Sequence, residues 1–182
     1  MLRDVLFEAA ASADLGPTRE ERHLLPGTTD RPWDVMIRRW SNGKDGTIDV
    51  TATSPLAASN VEGAAAEAGA FLNKAVKRKL RDTAEACSQQ GLVFLPFAME
   101  TLGGLHSSAV TQAKQIAAAL ARSKGCEESE TTSQLLGKLS LTLMRCNAMM
   151  LTSRHQHSDF VSPDIDGIMR TKISITIPDN CH

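Results

Sequence analysis

The sequence predicts an α/β fold in which helices cover a small sheet, and three observations predict it. Residues 2–14 place Leu2, Val5, Leu6, Ala9, Ala10 and Ala13 at helical spacing. Two strand-like runs, roughly 33–40 and 47–53, flank a turn at Ser41-Asn42-Gly43-Lys44-Asp45-Gly46, and strands joined by such a turn pair antiparallel. An alanine-rich helical region then precedes the apolar run Leu92-Val93-Phe94-Leu95-Pro96-Phe97, which reads as a buried or edge strand. Helix, hairpin, helix, strand and further helices in that order suit a sheet layered with helices.

The first helix stops at Gly16-Pro17. A polar stretch follows from Thr18 to Asp30, with a short strand expected around His23-Leu24-Leu25. Ser54-Pro55 closes the hairpin, because proline cannot donate to a continuing ladder. From Val61 to Gln89 the pattern is helical, with Phe71, Leu72, Ala75, Val76, Leu80 and Ala84 as the apolar stripe and Gly69 as a break. Gly91 ends it and Gly103-Gly104 ends the next strand. Residues 107–122 carry Val110, Ala113, Ile116, Ala117 and Leu120 on one stripe. Residues 131–152 do the same with Leu135, Leu136, Leu139, Leu143, Met150 and Leu151, after an acidic start suited to a helix N-terminus. Lys172–Ile177 has strand character, but no partner is evident, and 156–182 is read as a poorly ordered tail.

The chain has 182 residues, enough for one domain with a real core. Aromatic residues make up 4% and tyrosine is absent, so the core must rest on Leu, Ala, Val, Ile and Met. A net charge of −1 excludes a strongly basic whole-chain nucleic-acid binder. Residues 31–81 nonetheless hold nine Lys/Arg against five acids, a local balance that suits a polyanionic partner. Four cysteines without a Cys-x-x-Cys suggest neither a zinc site nor a disulfide framework. No apolar run approaches the ~20 residues of a membrane span, and Arg3-Asp4 interrupts any leader-like stretch. The expectation is a soluble intracellular protein without membrane contact.

Two aspartates carry the chemistry: Asp34 in Arg31-Pro32-Trp33-Asp34-Val35 and Asp49 in Thr47-Ile48-Asp49-Val50-Thr51. Alternation puts Asp34, Met36 and Arg38 on one face of the first strand, and Asp49, Thr51 and Thr53 on one face of the second. A register that sets those faces together brings two carboxylates to one spot, the way proteins hold a hard divalent cation such as Mg²⁺. On spacing alone, aspartates near strand ends are more often solvated surface or turn residues. Lys74, Lys77, Arg78, Lys79 and Arg81 crowd the second half of the long helix, where the ordinary reading is a solvated face. Trp33 and Trp40 read as packing residues.

These residues, in this order, resemble the PD-(D/E)xK nucleases. Within them the likeness is to the restriction-like endonuclease domain of non-LTR retrotransposon polyproteins. It covers roughly 2–122 and implies a restriction-endonuclease-like core of helix, antiparallel β-meander, helix and strand, with additional C-terminal helices. It divides the chain into that core (1–122), a C-terminal helix packing on it (123–155) and the tail (156–182). Asp34 and Asp49 would ligate Mg²⁺ or Mn²⁺. The family's motif has a lysine two residues after the second acid, where this chain has Thr51. In the retrotransposon branch that lysine is often displaced to the following helix, which makes Lys79 its counterpart, with Glu21 as an additional acid. Arg38, Lys74, Lys77 and Arg78 would contact DNA. The resemblance implies an endodeoxyribonuclease, nuclear, once attached to the polymerase portion of a retroelement polyprotein. Its Arg-His-Asn run ahead of the first helix has no counterpart here, and Trp33 separates Pro32 from Asp34. The expectation is therefore an N-terminally truncated copy, and the alternative is a catalytically inactive relic or a domesticated nucleic-acid- or protein-binding module. Ser162-Pro163-Asp164 and Asp179 repeat the aspartate spacing, and His155, His157, Cys181 and His182 resemble zinc ligands, but both read as chance.

Overall fold

The computed structural model describes residues 1–19 and 33–155, with Arg154 and His155 described by backbone alone. Glu21, Arg31, Pro32, the expected strand at 23–25 and everything beyond 155 lie outside the described residues. The elements are α1 (Leu2–Ser12), β1 (Thr18–Arg19), β2 (Val35–Ser41), β3 (Lys44–Thr53), α2 (Val61–Ala66), α3 (Ala70–Gln89), β4 (Val93–Glu100), α4 (Ser107–Lys124) and α5 (Glu128–His155). No helix among them is long and apolar enough to cross a membrane.

The four strands form one mixed sheet in the order β1-β2-β3-β4. β1 pairs antiparallel with β2, and β2 antiparallel with β3. The β2–β3 turn is Asn42-Gly43, both residues at positive φ (50° and 77°), as a two-residue hairpin with right-handed strand twist requires. β4 pairs parallel with β3 from Gly46↔Val93 through Thr53↔Glu100, so the intervening chain, with α2 and α3, crosses over one face of the sheet. Pro96 sits opposite Asp49 on β4, whose other side carries no strand among the described residues, a position that tolerates a missing N–H.

The sheet is covered on both faces. Val35, Ile37, Ile48, Phe97 and Met99 face a core shared with Leu6 and Ala10 of α1, Ile116 of α4, and Leu135, Leu139 and Leu143 of α5. On the opposite face, Phe71, Leu72 and Val76 of α3 pack on Ala98, while Trp33, Cys87 and Phe94 form a small adjoining cluster. Small residues along α4 (Ala109, Ala113, Ala117) let helices approach closely, so a core poor in aromatics still closes.

The helix break expected at Gly69 is present, with Gly69 in the left-handed region (φ 78°) ahead of α3. The expected apolar stripe of α3 needs one correction. Leu80 is 40% exposed, and the sheet-facing row runs Leu72, Val76, Lys79, Thr83, Cys87. A lysine therefore stands where the periodicity predicts an apolar residue.

Candidate functional site

Asp49 lies in the middle of β3 on the face that α3 covers. Its neighbours on that face are Thr47, Thr51 and Thr53. The Asp49 side chain is 12% exposed, a placement an ionised carboxylate tolerates only with a partner. That partner is Lys79, whose Nζ lies 2.5 Å from Asp49 Oδ2. The lysine's place in the sheet-facing row of α3, one turn from Val76 and from Thr83, thus has a physical cause: its ammonium neutralises the acid beneath.

Below this pair, Thr47 Oγ1 lies 3.8 Å from Cys87 Sγ and donates to Val93 O at 3.3 Å. Burial pushes the Cys87 thiol above its ordinary value of 9.0; the Thr47 contact opposes this, and the nearby Asp49 charge adds to it. Cys87 is fully buried and protonated, a packing thiol rather than a nucleophile.

Asp34 immediately precedes β2, adjacent to Asp49 across the ladder. Its N–H donates to Ile48 O (2.9 Å) and its Oδ2 accepts from the Val50 N–H (2.8 Å), so it bonds to both neighbours of Asp49. Ile48 is also the register partner of Val35, so Asp34, just ahead of β2, and Val35, its first residue, both meet Ile48. Such a bulge-like offset re-aims a side chain. Simple alternation would put Asp34 on the face of Met36. Instead it lines a surface groove together with Val50 and Ala52, on the α1/α5 side of the sheet. The structure brings the two aspartates together at the backbone and gives their carboxylates different partners. Among the described residues no three His, Cys, Asp or Glu side chains gather into a metal-holding cluster.

The basic residues divide. Lys74, Lys77 and Arg78 line a groove of about 1040 Å³ along the flank of α3, with Thr53, Asn60 and Arg81 among its other walls. Asn60 holds the turn above the end of β3 by donating to Ser54 O (2.8 Å) and Thr53 Oγ1 (3.3 Å). At the far rim Asn73 Oδ1 meets His106 Nε2 (3.0 Å), which ties α3 to the start of α4. Glu67 is the acid in this lining. Arg38 is elsewhere: it is exposed, its N–H donates to Leu15 O, and its stem lies over Gly16. Arg81 and Asn60 were not singled out from sequence as contact residues. Arg81 was visible in principle, since it follows Lys74 and Lys77 at helical spacing. Asn60 gave no signal, because its role depends on a tertiary contact.

No protein-family model, no curated protein and no solved structure matches the chain.

Proposed function

We propose that this chain is a retroelement-derived, Mg²⁺-dependent DNA endonuclease domain of the restriction-like type. The observation that carries the reading is the Asp49–Lys79 ion pair, in which an acid in mid-strand is met by a lysine of the following helix. That is the displaced-lysine arrangement the resemblance implies for a chain with Thr51 in the usual lysine's place. The element order supports it as well: a helix, three antiparallel strands, a crossover with a helix, and a strand parallel to the third. Asp49 within β3, and Asp34 immediately ahead of β2, also suit the order in which the resemblance expects its two acids.

Mg²⁺ binds through one or two carboxylates and keeps several waters; of the two acids, Asp49 faces α3 and its basic flank, whereas Asp34 lines the groove on the α1/α5 side. Asp49 would ligate the ion there, and the Asp34 carboxylate would have to turn from the Val50 N–H to join it; Mn²⁺ would serve the same site. When bound it lowers the pKa of a coordinated water and neutralises charge on the phosphate. Lys79 places a fixed cation beside Asp49, where charge grows on a phosphate being attacked. Lys74, Lys77 and Arg78 would grip the DNA backbone along the groove and set its register without reading sequence.

One observation favours the second reading, a catalytically silent binding module of the same fold. Both aspartates are already engaged by the protein, Asp49 by Lys79 and Asp34 by the Val50 N–H, while neither of them lines the basic groove. Nicking of supercoiled plasmid with Mg²⁺ or Mn²⁺ against EDTA separates the two. Metal-dependent nicking abolished by Asp49→Ala and by Asp34→Ala is expected. Nicking that survives both substitutions refutes the assignment of the ligands. A well-folded chain that binds DNA without nicking it, with affinity lost on Lys77→Glu/Arg78→Glu and on added salt, establishes the binding module instead.

A further inference from the structure

At the end of the sheet where β3 and β4 finish, two leucines stand in solvent. Leu56, in the turn after β3, is 73% exposed, and Leu102, in the turn after β4, is 69% exposed. Val61, at the start of α2, is a further exposed apolar residue beside them in the chain. Among the described residues the other exposed large apolar side chains, Leu80 apart, are Met1 and a group on α5, so these three stand by themselves. A single exposed leucine needs no explanation. Two on neighbouring turns, each turn fastened in place, do.

Both turns are braced by hydrogen bonds. The Leu56 N–H donates to Ser54 Oγ (3.2 Å), and Asn60 Nδ2 donates to Ser54 O (2.8 Å). On the other turn the Thr101 N–H donates to Thr53 O (2.9 Å), the Glu100 N–H to Gly104 O (2.7 Å), and Asn147 Nδ2 of α5 to Thr101 O (2.6 Å). Gly103, at φ 103°, closes that turn. The backbone under each leucine is thereby fixed, and the side chain is held out in water.

The two turns adjoin the basic groove. Thr53, which accepts from Thr101, is part of the groove wall, and Leu56 lies in the chain between the wall residues Thr53 and Ser59. Along that path the two leucines are no more than roughly 20 Å apart. Lys74, Lys77, Arg78 and Arg81 line the groove over about 10 Å of helix, against one acid in the lining, Glu67. Asp82 shares the charge of Arg81 (2.9 Å to its Nε), and Glu62 and Glu100 lie outside the lining, so the wall itself stays positive. A flat bilayer cannot follow cations into a concave wall, whereas a phosphodiester strand can.

We propose that Leu56 and Leu102 are wedges that enter the base stack of a DNA duplex whose backbone lies along this groove, unstacking a step and unwinding the duplex there. The inference deepens the DNA reading of the groove and rests on it. Apolar side chains inserted between base steps deform a duplex without reading its sequence. The cost of unstacking is offset by leucine surface leaving water, so the wedges change the shape of the DNA more than the affinity for it.

The test adds the full chain to closed-circular plasmid in EDTA, which silences metal-dependent cutting, and relaxes the plasmid with a topoisomerase that needs no metal. After the protein is removed, the wild type is expected to leave a linking-number deficit that grows with the protein added. Leu56→Ala/Leu102→Ala is expected to lose most of that deficit while binding the plasmid within about threefold of the wild type. Lys77→Glu/Arg78→Glu is expected to lose binding and deficit together. In a second measurement, which decides the matter if the alanine pair fails to fold, Leu102→Trp is expected to show emission quenched on adding DNA, beyond the response of Trp33 and Trp40 in the parent chain. DNA binding without a deficit, a deficit that the alanines leave intact, or unchanged emission from Leu102→Trp overturns the wedges and leaves the DNA reading of the groove standing. A folded chain that binds no DNA overturns both. If that chain instead binds phosphatidylserine vesicles and the alanine pair does not, the leucines serve a lipid surface and the proposal is likewise overturned.

Discussion

Lys79→Met keeps an apolar stem at the position and removes the ammonium, so it isolates the charge. Its cost can be bracketed from the exposure of the two partners. Fully exposed ion pairs contribute about 0.2–1 kcal/mol. Removing one partner of a buried pair costs about 3–5 kcal/mol, because the other charge is stranded. Here the surviving carboxylate is 12% exposed and the deleted cation was 32% exposed, so the case lies between, nearer the buried limit for Asp49. The expected loss is about 1.5–3 kcal/mol, or roughly 3–12 °C in Tm at about 2–4 °C per kcal/mol for a chain of this size. Asp49→Asn strands the lysine instead, but Lys79 can swing towards water, so about 1–2 kcal/mol is expected. The double variant should cost less than the two single losses together, with a coupling of about 1–2 kcal/mol. Urea unfolding of the four proteins at constant m-value measures it. Additivity within about 0.5 kcal/mol refutes the claim that Lys79 occupies an apolar-row position because of Asp49. A Mg²⁺ titration in the same assay extends the test. If Lys79 competes with a cation for Asp49, Mg²⁺ should raise the stability of Lys79→Met more than that of the wild type.

The remaining predictions concern the sheet and the buried thiol. A Cβ at Gly46 would lie 2.8 Å from Leu95 Cδ1 and from Trp40 Cβ, so Gly46→Ala is expected to cost about 1–3 kcal/mol by overpacking, read as a lower urea midpoint at unchanged m. The Cys87 thiol is raised in the folded chain by burial first, so it favours the folded state fully below the unfolded thiol value and loses that contribution as pH rises through the folded value. Stability should therefore fall as pH rises above the ordinary thiol value of 9.0, and Cys87→Ala should lack that part of the fall. An identical alkaline slope in both proteins would exclude the thiol as its source.

How far the sequence could be read follows from where each signal resides. The hairpin was legible because Asn42-Gly43 specifies its turn locally, and α1, α4 and α5 were legible because their apolar stripes repeat over three or more turns. Thr18–Arg19 was missed as a strand, since two residues carry no periodicity and gain their strand character from β2 alone. The error at Leu80 has the same root. Positions 79 and 80 are both near the inward direction of α3, and hydrophobicity favours the leucine. Only the acid across the layer boundary, 30 residues away in the chain, makes the lysine the inward residue. Asp34 escaped alternation for a related reason: the offset opposite Ile48 is a property of the pairing, not of either strand.

That offset also explains why the two aspartates differ in what they can do. Asp49 is fixed from two sides, by a continuous parallel ladder to β4 and by α3 above, so its carboxylate has little freedom and needs its cation in place. Asp34 stands where β2 begins, and its carboxylate takes the Val50 N–H, a role that a neighbouring strand's carbonyl would otherwise fill. One acid is held by the crossover helix and the other finishes the ladder. A crossover between parallel strands must pack on one face of the sheet, and in this chain it packs on the face that carries Asp49, Thr51 and Thr53. A cation can therefore reach Asp49 from above without a lysine at position 51. Placing it on α3 aligns it with the helix flank that carries Lys74, Lys77 and Arg78, so a single helix carries both the cation at the acid and the basic wall of the adjoining groove. That shared origin makes α3 the element through which changes at the groove would reach Asp49.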